Sequence, residues 1–369
     1  MKIGITGGGS AGHVVPALAV AARLAERGAK EIVFFGRPGS IEHEHAEKAG
    51  IPFCPVPSAG LKRYGSWSNL LMPVTVLRGI GAAVRAMRSE RPDALFSKGS
   101  YVSVPVGIAA WLCRVPIVVH ESDRSLGLAN KIVARMATRV CLSVEAPAGA
   151  PRWLARKTTV TGLPLRRDLV TGKPERLREQ LGIPTNAPVL LIFCGSSGSQ
   201  RINDAVQSQL DALCARFAVV HVRGNGNLTP ALQDVPRYWQ LEYLHDEMAD
   251  ALWLADLVIG RAGATTLAEL EALGKRAVLI PLPATVSRGD QLDNAAAYAR
   301  RHPGQCIVIP DNEDLRDGTS LAKACMELSA GLTQAAHTRP DSAALHGASD
   351  LIARETVASA KPRRIRRDG

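Results

Sequence analysis

Two glycine-rich turns set the chemistry open to this chain. Ile5-Thr6-Gly7-Gly8-Gly9-Ser10-Ala11-Gly12 and Cys194-Gly195-Ser196-Ser197-Gly198 each follow a short apolar run and lead into a helical pattern. Such turns bare consecutive backbone N–H groups, and a helix start adds partial positive charge, so both can hold a phosphate. Each is equally compatible with a tight strand-to-helix turn that binds nothing. Neither is GxxxxGK[ST], and neither fits GxGxxG with a well-placed ribose acid, so P-loop kinases and nicotinamide enzymes are poor matches. The chain has no DxD pair. His43-Glu44-His45 lacks a nearby Cys or further His and reads as a solvated helix face. No metal and no cofactor is expected, so charge on a leaving phosphate falls to backbone dipoles and to Arg or Lys. His13, just after the first turn, is a residue type that takes a proton near neutral pH, bonds an anion or caps a helix.

The elements that must position these turns alternate along the chain. Strand-like runs occupy Lys2–Thr6, Glu31–Gly36, Ile117–His120, Arg139–Leu142, Val189–Cys194, Val219–Arg223, Leu257–Ile259, Val278–Pro281 and Ile307–Pro310. Helix-length segments separate them, which means βαβ units and parallel sheets. The first helix has Pro16 near its first turn, Leu18, Ala21, Ala22 and Ala25 on one face, and Gly28 as its stop. A later helix, Thr266–Leu273, stops at Gly274 in the same manner. The fold class is α/β, in two doubly wound halves, with the junction in the polar, Pro-containing stretch from Gly162-Leu163-Pro164 to Pro188. The expected parts are 1–162, 163–340, a C-terminal helix 341–360 packing back on the first domain, and a disordered basic tail 361–369.

Length supports the division, since 369 residues exceed one ordinary domain. Hydrophobic residues at 46% and charged residues at 21% exclude a mostly disordered chain. The net charge of +11 is unevenly placed. Residues 1–160 hold 21 basic and 10 acidic side chains, against 19 and 23 in 161–360. The halves should therefore meet different partners. Seven scattered cysteines with no CxxC pair read as buried thiols in a reducing compartment. The start, MKIGITGGG, enters a strand at once and lacks an apolar signal region. The longest apolar stretch, Val102–Val119, contains Pro105, Arg114 and Pro116 and reads as elements inside a domain, not a membrane span. Lys62–Arg91 carries Lys62, Arg63, Arg78, Arg85, Arg88 and Arg91 against Glu90. Leu70, Val74, Leu77, Val84 and Met87 recur there at helical spacing, with Trp67 at one end, as on an amphipathic helix.

Five stretches in order carry a family resemblance. They are Gly7–His13 with Pro16-Ala17-Leu18-Ala19, Ser97–Pro105, His120-Glu121-Ser122-Asp123 with Gly127–Lys131, Gly195–Asn203, and Gly260–Ala264 to Glu269 with Gln291 and Asn294. Together they resemble the MurG family of GT-B glycosyltransferases over residues 1–310. The resemblance implies two Rossmann-like domains with parallel sheets facing across a deep cleft. It implies an inverting transferase that moves GlcNAc from UDP-GlcNAc to the MurNAc C4 hydroxyl of lipid I, an undecaprenyl-diphosphate-linked acceptor. The product would be lipid II, for peptidoglycan synthesis. Work of this kind belongs on the cytoplasmic face of the cell membrane, with the protein peripheral on an anionic inner leaflet. No nucleic-acid partner is implied.

The site residues carried over are these. Glu269 would accept both ribose hydroxyls of UDP, the competing reading being an exposed helix acid beside Glu271. Arg166 would face the donor diphosphate, or else be a junction surface charge. Ser196 and Ser197 would add donors to that phosphate. Gln291 would read sugar hydroxyls, or cap its helix. Ala264 and Thr265 would face the sugar through backbone, Leu244 and His245 would border the donor, and Ser10 and Gly12 would belong to donor binding. Gly9, Gly99, Tyr101 and Ser103 would line the acceptor side. His13 would be the general base or bond the acceptor diphosphate, and Asp123 is the other candidate base.

Several residues depart from the family pattern. Ser122 and Asp123 stand where relatives carry Gln and Asn, Asp290 precedes Gln291, and the third loop begins Cys194-Gly195 and continues through Ser199 and Gln200. They leave open another amphiphilic or secondary-metabolite lipid acceptor, or a non-catalytic UDP-sugar-binding paralogue. A UDP-GlcNAc 2-epimerase would share the architecture, but the charge split argues against it.

Overall fold

A computed structural model describes residues 1–58, 72–146, 149–185, 187–195, 197–245, 247–287, 289–330 and 342–360. The chain divides into two compact units, Met1–Arg166 with the chain from His346 onward, and Arg167–Leu345. The division falls between Arg166 and Arg167, so Arg166 is the last residue of the first unit's main segment.

The first unit is built on seven strands, β1 (Lys2–Thr6), β2 (Glu31–Gly36), β3 (Phe53–Pro55), β4 (Ala94–Ser97), β5 (Ile117–Glu121), β6 (Arg139–Leu142) and β7 (Thr158–Val160). Their order is β3-β2-β1-β4-β5-β6-β7, and every pairing is parallel. A parallel sheet is covered on both faces, so its strands read as continuous apolar runs. One face buries Val33, Phe35, Leu95, Ile117 and Val119 beneath α3 (Met72–Glu90), α4 (Ser103–Leu112) and α5 (Leu128–Met136), whose Met87, Val106 and Val133 point inward. The other face buries Ile3, Ile5, Phe34 and Phe96 beneath α1 (Ala11–Glu26) and the helix Ser342–Ser359, which contributes Ile352 and Ala353. Two ion pairs tie that last helix down, Arg27 to Asp350 at 2.6 Å and Arg139 to Glu355 at 2.9 Å.

The second unit repeats the plan with β8 (Val189–Phe193), β9 (Ala218–Val222), β10 (Tyr238–Leu241), β11 (Leu257–Gly260), β12 (Arg276–Leu279) and β13 (Cys306–Val308). Their order is β10-β9-β8-β11-β12-β13, again all parallel. In each sheet the order reverses beside its first strand, between β1 and β4 and between β8 and β11. Ligands of open α/β sheets bind outside the carboxyl ends of strands at such a reversal. Both glycine-rich turns lie at those ends. Val102–Val119 resolves into α4 and β5, and no helix among the described residues is long and apolar enough to cross a membrane.

Candidate functional site

In the first unit, four strand ends are laced together by three buried charges. The first is Glu42, on α2 (Ile41–Lys48), which is fully buried. Its carboxylate accepts the N–H of Gly9 at 3.0 Å and of Arg37 at 3.3 Å. A Cβ on Gly8 would lie 2.4 Å from its carboxyl carbon, and one on Gly36 would lie 2.9 Å from its Cγ. Missing side chains thus make the slot that the carboxylate fills. The Gly9 N–H is therefore committed to an internal anion. Gly9, at φ +77°, shapes the loop and leaves Tyr101 room, since a Cβ there would meet the Tyr101 ring at 3.0 Å.

The second charge is Glu121, at the end of β5. One oxygen accepts the N–H groups of Ser122 at 2.9 Å and Asp123 at 3.2 Å; the other accepts Gly127 N–H at 2.8 Å and Asn130 Nδ2 at 3.0 Å. Four donors fold the 122–127 loop onto the start of α5. Asn130 also donates to the His120 carbonyl at 3.1 Å, and Gly99, at φ +100°, has no Cβ because one would lie 2.8 Å from that amide. The third charge is Lys98, 2% exposed, whose ammonium donates to Ser122 Oγ. Burial lowers its pKa to about 8, opposed by the carboxylates of Glu121 and Asp123. His120 is buried as the neutral imidazole, pushed well below the usual range by burial and by Lys98, with Nε2 donating to the Gly162 carbonyl at 3.0 Å.

Above this lacing lie the candidate reacting groups. Ser10 is the extended residue before α1, and its carbonyl accepts His13 N–H at 3.1 Å. Its hydroxyl meets His13 Nδ1 at 3.0 Å. Gly12 is exposed in the first turn of α1, His13 is half-buried, and Asp123 and Tyr101 are half-buried on their loops. Ser103 is different. It is fully buried, and its hydroxyl donates to the Gly99 carbonyl, so it holds the turn from inside and lines no surface. His43-Glu44-His45 lies on α2, with the His43 ring 4.2 Å from that of Phe53 and its Nε2 3.3 Å from Glu47. Among the described residues no group of three His, Cys, Asp or Glu could hold a metal ion.

In the second unit, the turn after β8 is clamped from both sides. A Cβ on Gly198, at φ +68°, would lie 1.8 Å from the Arg223 carbonyl oxygen, so the turns after β8 and β9 touch backbone to backbone. That carbonyl accepts Asn203 Nδ2 at 3.1 Å. Asn203 Oδ1 must then accept, so His221 Nε2 donates to it at 3.1 Å. His221 Nδ1 accepts from the Tyr238 hydroxyl at 3.0 Å, and Arg223 donates to that same hydroxyl oxygen at 3.1 Å. Every proton in this buried chain has one place to be. Ser199, the extended residue before the helix Gln200–Ser208, accepts Arg261 Nη2 at 2.8 Å. Arg261 also pairs with Asp311 at 2.6 Å, so its guanidinium braces the turn. Ser197 is exposed, and its carbonyl accepts from Asn227 at 3.2 Å; Ser196 lies outside the described residues.

The remaining second-unit candidates follow β10, β11 and β12 in the chain. Ala264 and Thr265 open the helix Ala264–Ala272 after β11, half-buried. Glu269 follows on that helix and is only 3% exposed, whereas Glu271 faces outward and pairs with Arg301 at 3.1 Å. Glu269 is thus no ordinary exposed acid. Gln291, in the first turn of the helix Asp290–Arg301, accepts Leu282 N–H at 3.0 Å and pins the segment after β12. Asn294 donates to the Ala262 carbonyl at 3.4 Å. Leu244 is buried; His245 is exposed, its ring edge-on to Tyr243 at 4.6 Å. Arg166 is half-buried at the end of the first unit. Sequence reasoning passed over Glu42, Glu121, Lys98, Arg223 and Arg261 as site-shaping groups. The signal available was a charged residue at or directly after the end of an apolar strand, as at Lys98, Glu121 and Arg261.

Known proteins align with both units. The glycosyltransferase family 28 N-terminal domain model matches residues 3–142, and the family 28 C-terminal domain model matches residues 189–354. A Clostridium botulinum protein named UDP-N-acetylglucosamine--N-acetylmuramyl-(pentapeptide) pyrophosphoryl-undecaprenol N-acetylglucosamine transferase is 41% identical over 322 residues, 87% of this chain and 89% of that protein. A Clostridium perfringens protein of the same name is 43% identical over 312 residues, 85% and 86% of the two chains. The crystal structure of Acinetobacter baumannii MurG superimposes with a TM-score of 0.64 at 25% identity, covering 97% of this chain and 99% of that one. A UDP-GlcNAc 2-epimerase from Neisseria meningitidis, at 12% identity and a TM-score of 0.67 over 97% and 100% of the chains, shares the fold alone. Matched by both family models and by relatives at this identity across most of its length, the chain belongs to glycosyltransferase family 28 and has the GT-B fold.

Proposed function

We propose that this protein transfers GlcNAc from UDP-GlcNAc to the C4 hydroxyl of the MurNAc of lipid I, giving lipid II. The observation that carries the reading is 41% identity over 87% of the chain to a transferase named for that donor and acceptor. The chemistry of the strand ends supports it. In the second unit, Glu269 accepts the ribose hydroxyls of UDP, and Gln291, Ala264, Thr265, Leu244 and His245 border the sugar. The N–H groups at the start of the helix Gln200–Ser208, with Ser196 and Ser197, meet the diphosphate, where a helix N-terminus contributes about 0.3–2 kcal/mol. Arg166 offsets charge on the departing UDP.

In the first unit, the exposed Gly12 and half-buried Tyr101 meet the acceptor and the transferred sugar, and the buried Gly99 shapes the turn behind them. The acceptor oxygen forms its bond to the anomeric carbon as the bond to the UDP oxygen breaks, with inversion. The hydroxyl proton passes to His13 or Asp123. For His13 to take it, Nε2 must carry the lone pair, so Nδ1 carries the hydrogen and donates to Ser10 Oγ, a contact already at 3.0 Å. Base catalysis of this kind is worth roughly 10²–10⁴ in rate.

The acceptor is a membrane lipid, and the first unit offers a surface for it. Helices α3, α4 and α5 pack on the same sheet face and expose Val74, Leu77, Trp111, Leu112, Leu128 and Ile132. Arg78, Arg85, Arg88 and Lys131 are exposed on α3 and α5. The protein binds the anionic leaflet peripherally through these residues. The decisive experiment incubates purified protein with labelled UDP-GlcNAc and lipid I, beside a panel of other lipid acceptors. Lipid II formed with lipid I alone supports the reading. Transfer only to another lipid, or no transfer to any, overturns it.

A further inference from the structure

Lys98 is a buried ammonium that the transfer reaction, as set out so far, does not use. It is 2% exposed, directly follows β4, and makes backbone contact with the first glycine-rich turn. Its N–H donates to the Thr6 carbonyl at 2.8 Å, and a Cβ on Gly7 would lie 2.8 Å from its own Cβ. The next two residues, Gly99 and Ser100, both have left-handed backbone, at φ +100° and +78°; the second is a non-glycine residue there. Such backbone is costly and persists where the surroundings hold it. It turns the chain sharply after Lys98, while the side chain stays inside and reaches Ser122 Oγ on the neighbouring strand end.

Burying an ammonium is expensive unless it is paired and bonded. The groups around this one are the Ser122 hydroxyl, the carboxylates of Glu121 and Asp123, and the neutral imidazole of His120. Glu42 lies on the far side of Gly8 and Gly9. Glu121 already accepts four N–H donors, which fixes it as the frame of the 122–127 loop. Asp123 is half-buried on that loop, two residues from Glu121, and keeps part of its surface exposed.

We propose that Lys98 is a positioning residue for the transfer reaction: through Ser122 and the field on Asp123, its buried ammonium fixes the acceptor-side loop in its working arrangement. The proposal rests on the transferase reading given above. Loss of the proton from Lys98 removes the attraction to Asp123 and weakens the charge-assisted hydrogen bond to Ser122, so turnover depends on that proton. Burial brings its pKa down to about 8, within reach of ordinary assays. The charges of Glu121 and Asp123 work the other way and keep it from falling further.

The test measures kcat, and KM for UDP-GlcNAc, from pH 6 to 9.5 in wild type, Lys98→Met and Ser122→Ala, with lipid I as acceptor. The wild type should lose kcat on a basic limb centred near pH 8. Lys98→Met, close to Lys in length and without charge, should lower kcat roughly tenfold or more, hold KM for UDP-GlcNAc within about twofold, and lack the limb. Ser122→Ala leaves the ammonium short of an acceptor, so its limb should move to lower pH. A purely structural lysine would depress activity evenly at every pH and leave the limb unmoved in Ser122→Ala. That pattern, or a wild-type kcat flat from pH 7 to 9, overturns the proposal. Wild-type protein that makes no lipid II overturns the transferase reading instead, so the two failures are distinct.

Discussion

At the scale of single residues, burial distinguishes two glutamates that residue type cannot. Glu269 and Glu271 are neighbours on one helix, yet one is nearly enclosed and the other pairs with Arg301 in solvent. A carboxylate can accept two hydroxyls at once, through lone pairs on both oxygens. Glu269→Ala should weaken UDP binding by roughly 1–3 kcal/mol, the range for a hydrogen bond to a charged group. Calorimetry reads this directly, and an unchanged dissociation constant in a folded variant removes Glu269 from the site. In the proposed reaction His13 serves the acceptor. His13→Ala should lower turnover by roughly 10²-fold or more while UDP affinity stays near wild type. Ser10→Ala should follow in the same direction and more weakly, because Ser10 Oγ orients Nδ1. Full activity of His13→Ala at every pH would assign the proton to Asp123.

At the scale of elements, the strands legible in sequence are those with a long apolar run, and the four missed ones explain themselves. Phe53–Pro55 and Thr158–Val160 are three-residue edge strands, and Ala94–Ser97 is a four-residue segment between Asp93 and Lys98. Tyr238–Leu241 mixes Gln240 into an aromatic edge. In each, the neighbour's hydrogen bonds supply what periodicity does not. Both glycine-rich turns were legible because a missing Cβ leaves a mark in sequence. The lacing beneath them was not, because Asn203, His221, Arg223 and Tyr238 meet only when β8, β9 and β10 align.

That network has a measurable consequence. Burial, with help from Arg223, pushes the His221 pKa down to about 3. The unfolded chain then binds the extra proton between pH 6.5 and about 3, so stability is full above that window and falls as pH drops through it. The slope is at most about 1.4 kcal/mol per pH unit from this one group. Denaturant unfolding at pH 7, 6 and 5 should show wild type losing more stability than His221→Gln. Parallel losses would mean that the imidazole is not buried neutral.

At the scale of the whole molecule, charge and apolar exposure are concentrated in one unit. Residues 1–160 hold 21 basic against 10 acidic side chains. Part of the amphipathic pattern read in Lys62–Arg91 lies outside the described residues, including Lys62, Arg63, Trp67 and Leu70. The described part divides along its length. Met87 is 1% exposed and packs on the sheet, as the ordinary fate of an apolar stripe requires, whereas Val74 and Leu77 stand 53% and 68% exposed near the start of the same helix. Core packing therefore accounts for Met87 but not for Val74 and Leu77. Trp111 and Leu112 at the end of α4, which packs on α3, and Leu128 and Ile132 one turn apart on α5, which packs on α4, are further exposed apolar groups among the helices of this sheet face. Exposed apolar groups rimmed by basic ones are the signature of a surface that enters a lipid interface. Each arginine near an anionic leaflet contributes on the order of 1 kcal/mol, and salt screens that share while leaving the apolar share intact. Sedimentation with phosphatidylglycerol vesicles should therefore pellet the protein at low salt and release it at high salt. Reversing Arg78, Arg85 and Arg88 to Glu should abolish pelleting, and Leu77→Ser with Leu128→Ser should weaken it at every salt concentration. Equal pelleting with neutral vesicles, or indifference to the triple reversal, would leave the first unit's charge to serve the acceptor's diphosphate alone.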